Sequence, residues 1–388
     1  MEARSETSLA VGYLRGFVTL LVLAFHSVLA YYPGPFPFTP LVLHMSFPVL
    51  DGERFAGARA FAAFDDIFFM SLMFLLSGLF VWPSLARKGP ARFLRDRAAR
   101  LGLPFLACSG LVCAIAYYPT YLQGTPVGAT VAGYVLGWLR PAHWLSGPAW
   151  FIAVLLLYDG MAAALSLILP DWGLRLARIA DGSARRPLRF FVIVAAVSAA
   201  AYVPLALAFG QYSWWNVGPF WLQKSRAMQY AAYFFIGAAL GAYGLERGLL
   251  ARAGALAQRW RIWALAALVA YVLAGVLLKN SFSRLFANLP AHAAADLGWV
   301  IACGLISFAL LAAFVRFARP SRFWDSLTRN AYGMYLVHYA FCAWCQYALL
   351  TTSLAAPLKA VIVLAVVVSL SWISASALRR IPLVARII

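Results

Sequence analysis

The chain is predicted to be all-α, a polytopic membrane helix bundle, from its composition, the spacing of its apolar runs and the placement of its basic residues. Of the 388 residues, 64% are hydrophobic and 12% charged, a balance that would leave a soluble domain of this size with much apolar surface in water. Apolar runs close to the ~20 residues a bilayer core requires recur along the sequence. They predict about ten transmembrane helices, at about 12–32, 63–83, 101–118, 149–169, 189–209, 228–245, 262–279, 293–316, 329–350 and 357–378. A weaker, glycine-containing run at 126–139 reads as re-entrant or interfacial. The connections are short, so residues 1–388 form one membrane domain with no appended soluble domain expected.

The basic residues set the orientation. With an even number of spans both termini share a side, and that side with its connections holds 24 of the 32 lysines and arginines. Only Arg54, Arg59, Arg140, Lys224, Arg226, Lys279, Arg284 and Lys359 fall opposite. Positive charge stays cytoplasmic, so both termini are expected there, and the net charge of +19 reflects topology and not a nucleic-acid partner. The lipid bilayer is the expected partner. The first apolar segment lacks a small-x-small cleavage site and reads as a retained span.

That first span carries the leading candidate site. In LRGFVTLLVLAFH, eleven residues separate Arg15 from His26, about three turns, so both leave one helix face roughly 16 Å apart along the axis. A charge at the bilayer centre costs about 2.5–3.5 kcal/mol, so this face must look into protein or water. Singly, Arg15 reads as a snorkelling anchor and His26 as a packed histidine; their shared face argues for more.

The connection Pro33 to Ala62 is rich in proline and aromatics and should be ordered against the bundle. It delivers Asp65 and Asp66 to the second span, within geometric reach of His26. A carboxylate there would fix the imidazole tautomer, while complementing the helix dipole is the plainer role for one of the two. The second span ends near Ser77-Gly78 and is followed by Arg92, Arg95, Arg97 and Arg100 on an amphipathic stretch. Such a cluster suits phosphates, and equally lipid headgroups. His143 precedes the fourth span, which opens at Gly147-Pro148-Ala149-Trp150-Phe151 and carries Asp159 at mid-helix, where an acid marks a polar cavity or an ion pair. The segment Gly210 to Arg226 is dense in tryptophan, with Asn216 and Gln223 among them, a mixture that suits a sugar ring or an interfacial aromatic belt. Asp296 enters the eighth span, and His338 in AYGMYLVH is the second intramembrane histidine. Five cysteines, including Cys342-x-x-Cys345, lie in apolar runs and read as small hydrophobes, so no metal site is expected.

Arg15-Gly with its histidine at position 26, the Ser77-Gly78 helix with its basic exit, Gly147-Pro148-x-Trp150-Phe151 and AYGMYLVH occur in order. In these segments the chain resembles the membrane acyltransferase-3 family. The resemblance implies transfer of an acyl group, of acetyl or succinyl type, from acyl-CoA to a hydroxyl of an envelope glycan or lipid-linked glycan in the inner membrane of a bacterium. No bound cofactor is implied; acyl-CoA is the donor co-substrate. His26 would be general base or acyl-carrying nucleophile, Arg15 would meet the donor, and Asp65 or Asp66 would orient His26. The arginines 92, 95, 97 and 100 with Ser77, Trp150, Asp159 and His338 would contact substrates. The competing class is a proton-coupled transporter or flippase of an envelope precursor, to which intramembrane acids and histidines are equally suited. Against it, no inverted repeat is visible in the sequence.

Overall fold

The computed structural model describes residues 6–34, 49–125, 127–140, 144–283 and 289–387. His143, Arg4, Arg284 and residues 35–48 of the connection Pro33 to Ala62 lie outside the described residues.

Each of the ten predicted spans is found as helix. We label them α1 (Glu6–Leu29), α2 (Ala56–Gly78), α3 (Pro90–Gly124), α4 (Trp150–Ile168), α5 (Pro187–Phe209), α6 (Ala227–Tyr243), α7 (Trp260–Ser283), α8 (Leu289–Phe317), α9 (Arg322–Ala348) and α10 (Ala356–Leu378). Among the described residues eight helices are long and apolar enough to cross a membrane. The other two are α6, which has 17 residues, and α9, which begins with a polar turn, Arg322-Phe-Trp-Asp325. Observed helices run past several predicted ends because an amphipathic turn stays helical beyond the apolar stretch. α3 is the largest case: it starts at Pro90, eleven residues before the predicted 101, and passes through two π-turns at Ala98–Gly102 and Cys108–Val112. The weak run at 126–139 contributes a helix, Val131–Leu139, with no buried residue, capped by Thr130.

α1 is the hub. It packs against α2, α8, α9 and α10, so its side chains look into protein on several sides. Val11, Leu14, Val18, Val22 and Leu23 are buried on it, together with His26. α2 crosses α6 at a seam of glycines. A Cβ on Gly78 would fall 2.0 Å from the Phe234 carbonyl oxygen, and one on Gly237 would fall 2.1 Å from that of Leu75. Only glycine permits this approach, the small-residue packing common between membrane helices. The seam brings the start of α6, with Arg226 just before it, against the acids of α2.

Between α5 and α6 the tryptophan-rich segment forms a hairpin that the sequence did not announce, Trp214–Val217 paired with Phe220–Gln223. Gly218 at φ 58° supplies the positive φ that the turn needs. Trp221 is buried, Trp215 is exposed, and Trp214 stands opposite Gln223 in the register.

Candidate active site

Two cavities open along α1, one toward the hairpin and one toward the arginine-rich ends of the helices. His26 lines the first and Arg15 the second. α1 is unbroken between them, so they stand about 16 Å apart at ~1.5 Å per residue, as their spacing predicts.

The hairpin-side cavity encloses about 120 Å³. Its wall is aromatic, with Trp150, Trp214, Tyr212, Tyr230 and Tyr335, and carries Gln223, Asp66 and His26 as polar groups. The Gly147 backbone, at φ 49°, turns the chain so that Pro148 and Trp150 face it, and an added Cβ there would meet Tyr339 at 3.1 Å. Trp150 stacks on Tyr230 with ring centroids 5.9 Å apart. Tyr212 lies outside the spans; burial, with the Asp66 carboxylate nearby, pushes its phenol up to about 12, so it stays neutral.

His26 is fixed from behind. Its Nδ1 lies 2.9 Å from the Val22 carbonyl oxygen, and Nδ1 of His338 lies 2.6 Å from that of Tyr335. A carbonyl only accepts, so in the neutral rings both Nδ1 atoms carry hydrogen and both Nε2 atoms carry lone pairs. His338 Nε2 then faces the His26 Nδ1 hydrogen at 3.4 Å. Gln346 donates to the His26 backbone carbonyl at 2.9 Å, and the Tyr339 ring stands edge-on to the imidazole at 5.3 Å. The nitrogen of His26 left for chemistry is Nε2. His338 is fully buried and does not line the cavity, so it touches His26 and not a substrate expected there.

Neither Asp65 nor Asp66 hydrogen-bonds His26 among the described residues. Asp66 is gripped by Arg226 through two bonds of 2.6 Å, and Arg226 also donates to the Asp66 backbone carbonyl at 3.1 Å. The guanidinium lies over Trp299 at 4.7 Å. Asp65 is fully buried on the other flank of α2, and its carboxylate oxygens have no hydrogen-bond partner among the described residues. Val22 and His338 orient the imidazole in place of the expected carboxylate.

The second cavity encloses about 490 Å³ and is basic: Arg15, Arg87, Lys88, Arg97 and Arg100 line it. Asp96, the one acid among its described lining residues, is held by Lys88 at 2.5 Å. Arg92 and Arg95 are exposed and do not line it, so of the four arginines singled out only Arg97 and Arg100 do. Arg97 has its Nε 3.4 Å from the buried carboxylate of Asp159, which identifies the arginine that Asp159 required. Asp159 thus fixes an arginine and lines neither cavity. Ser77 also lies outside both; its neighbour Gly78 belongs to the helix seam. The most consequential residue missed from the sequence is Arg226, counted only as an exception to the charge bias. A lone arginine abutting a hydrophobic helix was its one signal.

The class is thus a polytopic helical membrane protein with a buried imidazole opening on one cavity and a cluster of cations at another. A family model described as an acyltransferase domain matches residues 9–376, nearly the whole chain. The chain belongs to the membrane acyltransferase-3 family and is a membrane acyltransferase, moving acyl groups other than aminoacyl groups. No curated protein and no solved structure matches it.

Proposed function

We propose that this enzyme moves an acetyl- or succinyl-type group from cytoplasmic acyl-CoA to a hydroxyl of an envelope glycan or lipid-linked glycan, in the inner membrane of a bacterium. The observation that carries the reading is the division of labour along α1, with Arg15 in a cation-lined cavity at one end and His26 at an aromatic and amide-bearing cavity near the other. Five cationic side chains suit the phosphates of CoA through charge-assisted hydrogen bonds. Aromatic faces beside Gln223 suit a sugar. The positive-inside bias puts the cationic cavity on the cytoplasmic side.

In this reading His26 Nε2 takes the proton of the acceptor hydroxyl as its oxygen attacks the thioester carbonyl. The tetrahedral intermediate collapses, the carbon–sulfur bond breaks, and the departing thiolate takes the proton back from the imidazolium. Arg15, about 16 Å away, serves the phosphates or the pantetheine arm and not the oxyanion. Asp66 shares a cavity wall with His26 and Asp65 is its buried neighbour, so both act on the electrostatics of the site, not as direct partners of the imidazole.

The test is transfer from radiolabelled acyl-CoA in membrane vesicles that hold native acceptors. His26→Ala protein, inserted at the wild-type level, is expected to lose transfer; full transfer by it refutes the assignment.

A further inference from the structure

The acyl group must reach Nε2 of His26, so the wall around that nitrogen decides which acyl groups are accepted. This rests on the reading of His26 as the base. Among the described lining residues of the cavity there is no lysine and no arginine; the groups able to carry charge are His26, Asp66 and the tyrosines. Asp66 is 23% exposed and belongs to the wall, whereas Arg226 is 2% exposed and does not. The ion pair is therefore oriented. Its carboxylate end lies toward the cavity and its guanidinium end lies behind, with both terminal nitrogens committed to Asp66. One further arginine adjoins the wall: Arg59 lies over the Tyr32 ring at 5.7 Å and donates to the Pro33 carbonyl at 2.8 Å. Residues 35–48, which follow Tyr32 in the chain, include no lysine or arginine.

A buried ionised carboxylate is tolerated only when it is paired and hydrogen-bonded. A succinyl or malonyl group would place its free carboxylate in an aromatic cavity whose described lining includes no lysine or arginine and already presents a carboxylate. An acetyl or propionyl group brings no charge to this wall and packs on its aromatic and apolar faces. We propose that the oriented Asp66–Arg226 pair makes this enzyme selective for a small uncharged acyl group, excluding dicarboxylic half-thioesters.

Two measurements keep this apart from the identity of the donor. In vesicles with native acceptors, His26-dependent incorporation from acetyl-CoA is expected to exceed that from succinyl-CoA at least tenfold. In detergent-solubilised protein, His26-dependent hydrolysis of p-nitrophenyl acetate is expected to exceed that of its anionic hemisuccinate counterpart by a similar factor, with no CoA present. Comparable use of neutral and anionic substrates in either assay overturns the proposal. If both CoA thioesters fail but the nitrophenyl esters are discriminated, the donor assignment falls and the selectivity stands. Gln223→Lys places a cation on the same wall and is expected to narrow the preference at least threefold; an unmoved preference also counts against the proposal.

Discussion

His338 Nε2 lies 3.4 Å from His26 Nδ1, although 312 residues separate the two in the chain. With both Nδ1 atoms bonded to helix carbonyls, the pair locks His26 in the tautomer whose Nε2 has the lone pair. With His26 as the proposed base, His338 would act as a positioning residue. His338→Ala is expected to lower kcat by about 10–100-fold, less than the ~10²–10⁴ that a general base itself contributes, while the donor KM moves little. His338→Gln, which can still present an acceptor to the His26 Nδ1 hydrogen, should recover part of the loss. Initial rates of acyl incorporation across donor concentrations separate the two parameters.

The Asp66–Arg226 pair can be tested through stability. Arg226→Met leaves a carboxylate beside an apolar wall, and removal of one partner from a buried pair costs about 3–5 kcal/mol. The double variant Asp66→Leu with Arg226→Met is expected to be clearly more stable than Arg226→Met alone. Thermal unfolding in detergent, arranged as a double-mutant cycle, yields the coupling; additive effects would show that the pair contributes nothing beyond its parts.

Donor binding divides the arginines of the third helix. Arg100→Ala, from the cationic cavity, is expected to raise the acyl-CoA KM several-fold with a smaller change in kcat. Arg92→Ala, exposed and away from that cavity, should match wild type. Equal effects of the two would mean that headgroup contact and not a donor site explains the cluster.

The glycine seam makes a packing prediction. Gly237→Ala places a methyl 2.1 Å from the Leu75 carbonyl oxygen, so α2 and α6 must separate, and overpacking of this kind costs about 1–3 kcal/mol or more. Gly275→Ala on α7 meets nothing within 4 Å and is expected to leave stability unchanged or raise it slightly. Fluorescence-detected unfolding temperatures of the two variants should differ by several degrees.

The Tyr212 phenol provides a pH control. Its value is raised to about 12, so any stability it contributes is fully present below the ordinary tyrosine value near ~10 and is lost only as pH climbs through about 12. Between about pH 6 and 9 it does not titrate. Tyr212→Phe should change the level of activity but not the shape of the pH–rate profile in that range; a lost inflection there would contradict the assignment.

The helices and the α1 face were legible in the sequence because both are local. Apolar length announces a span, and an eleven-residue spacing puts Arg15 and His26 on one face whatever surrounds them. Partnerships between helices were not legible. Asp66 and Arg226 are 160 residues apart, and nothing in either segment says that α2 and α6 are neighbours. The same holds for Asp159, whose need for a cation was evident but whose choice of Arg97 depends on how α3 meets α4. Gly78 was visible only as half of the Ser77-Gly78 segment, and its close approach to the Phe234 carbonyl of α6 depends on a partner helix that the segment does not name. The hairpin was hidden because its tryptophans also fit an interfacial belt, and only its register reveals that Trp214 and Gln223 face the cavity together.

The two cavities have no described lining residue in common, and between them α1 buries Val18 and Thr19. A catalyst that serves two compartments endangers the cell if it leaves a wet channel, because protons would run down the gradient that powers the membrane. On the proposed reading, the packed waist of α1 at Val18 and Thr19 is what would have to admit an extended thioester arm while holding ions back.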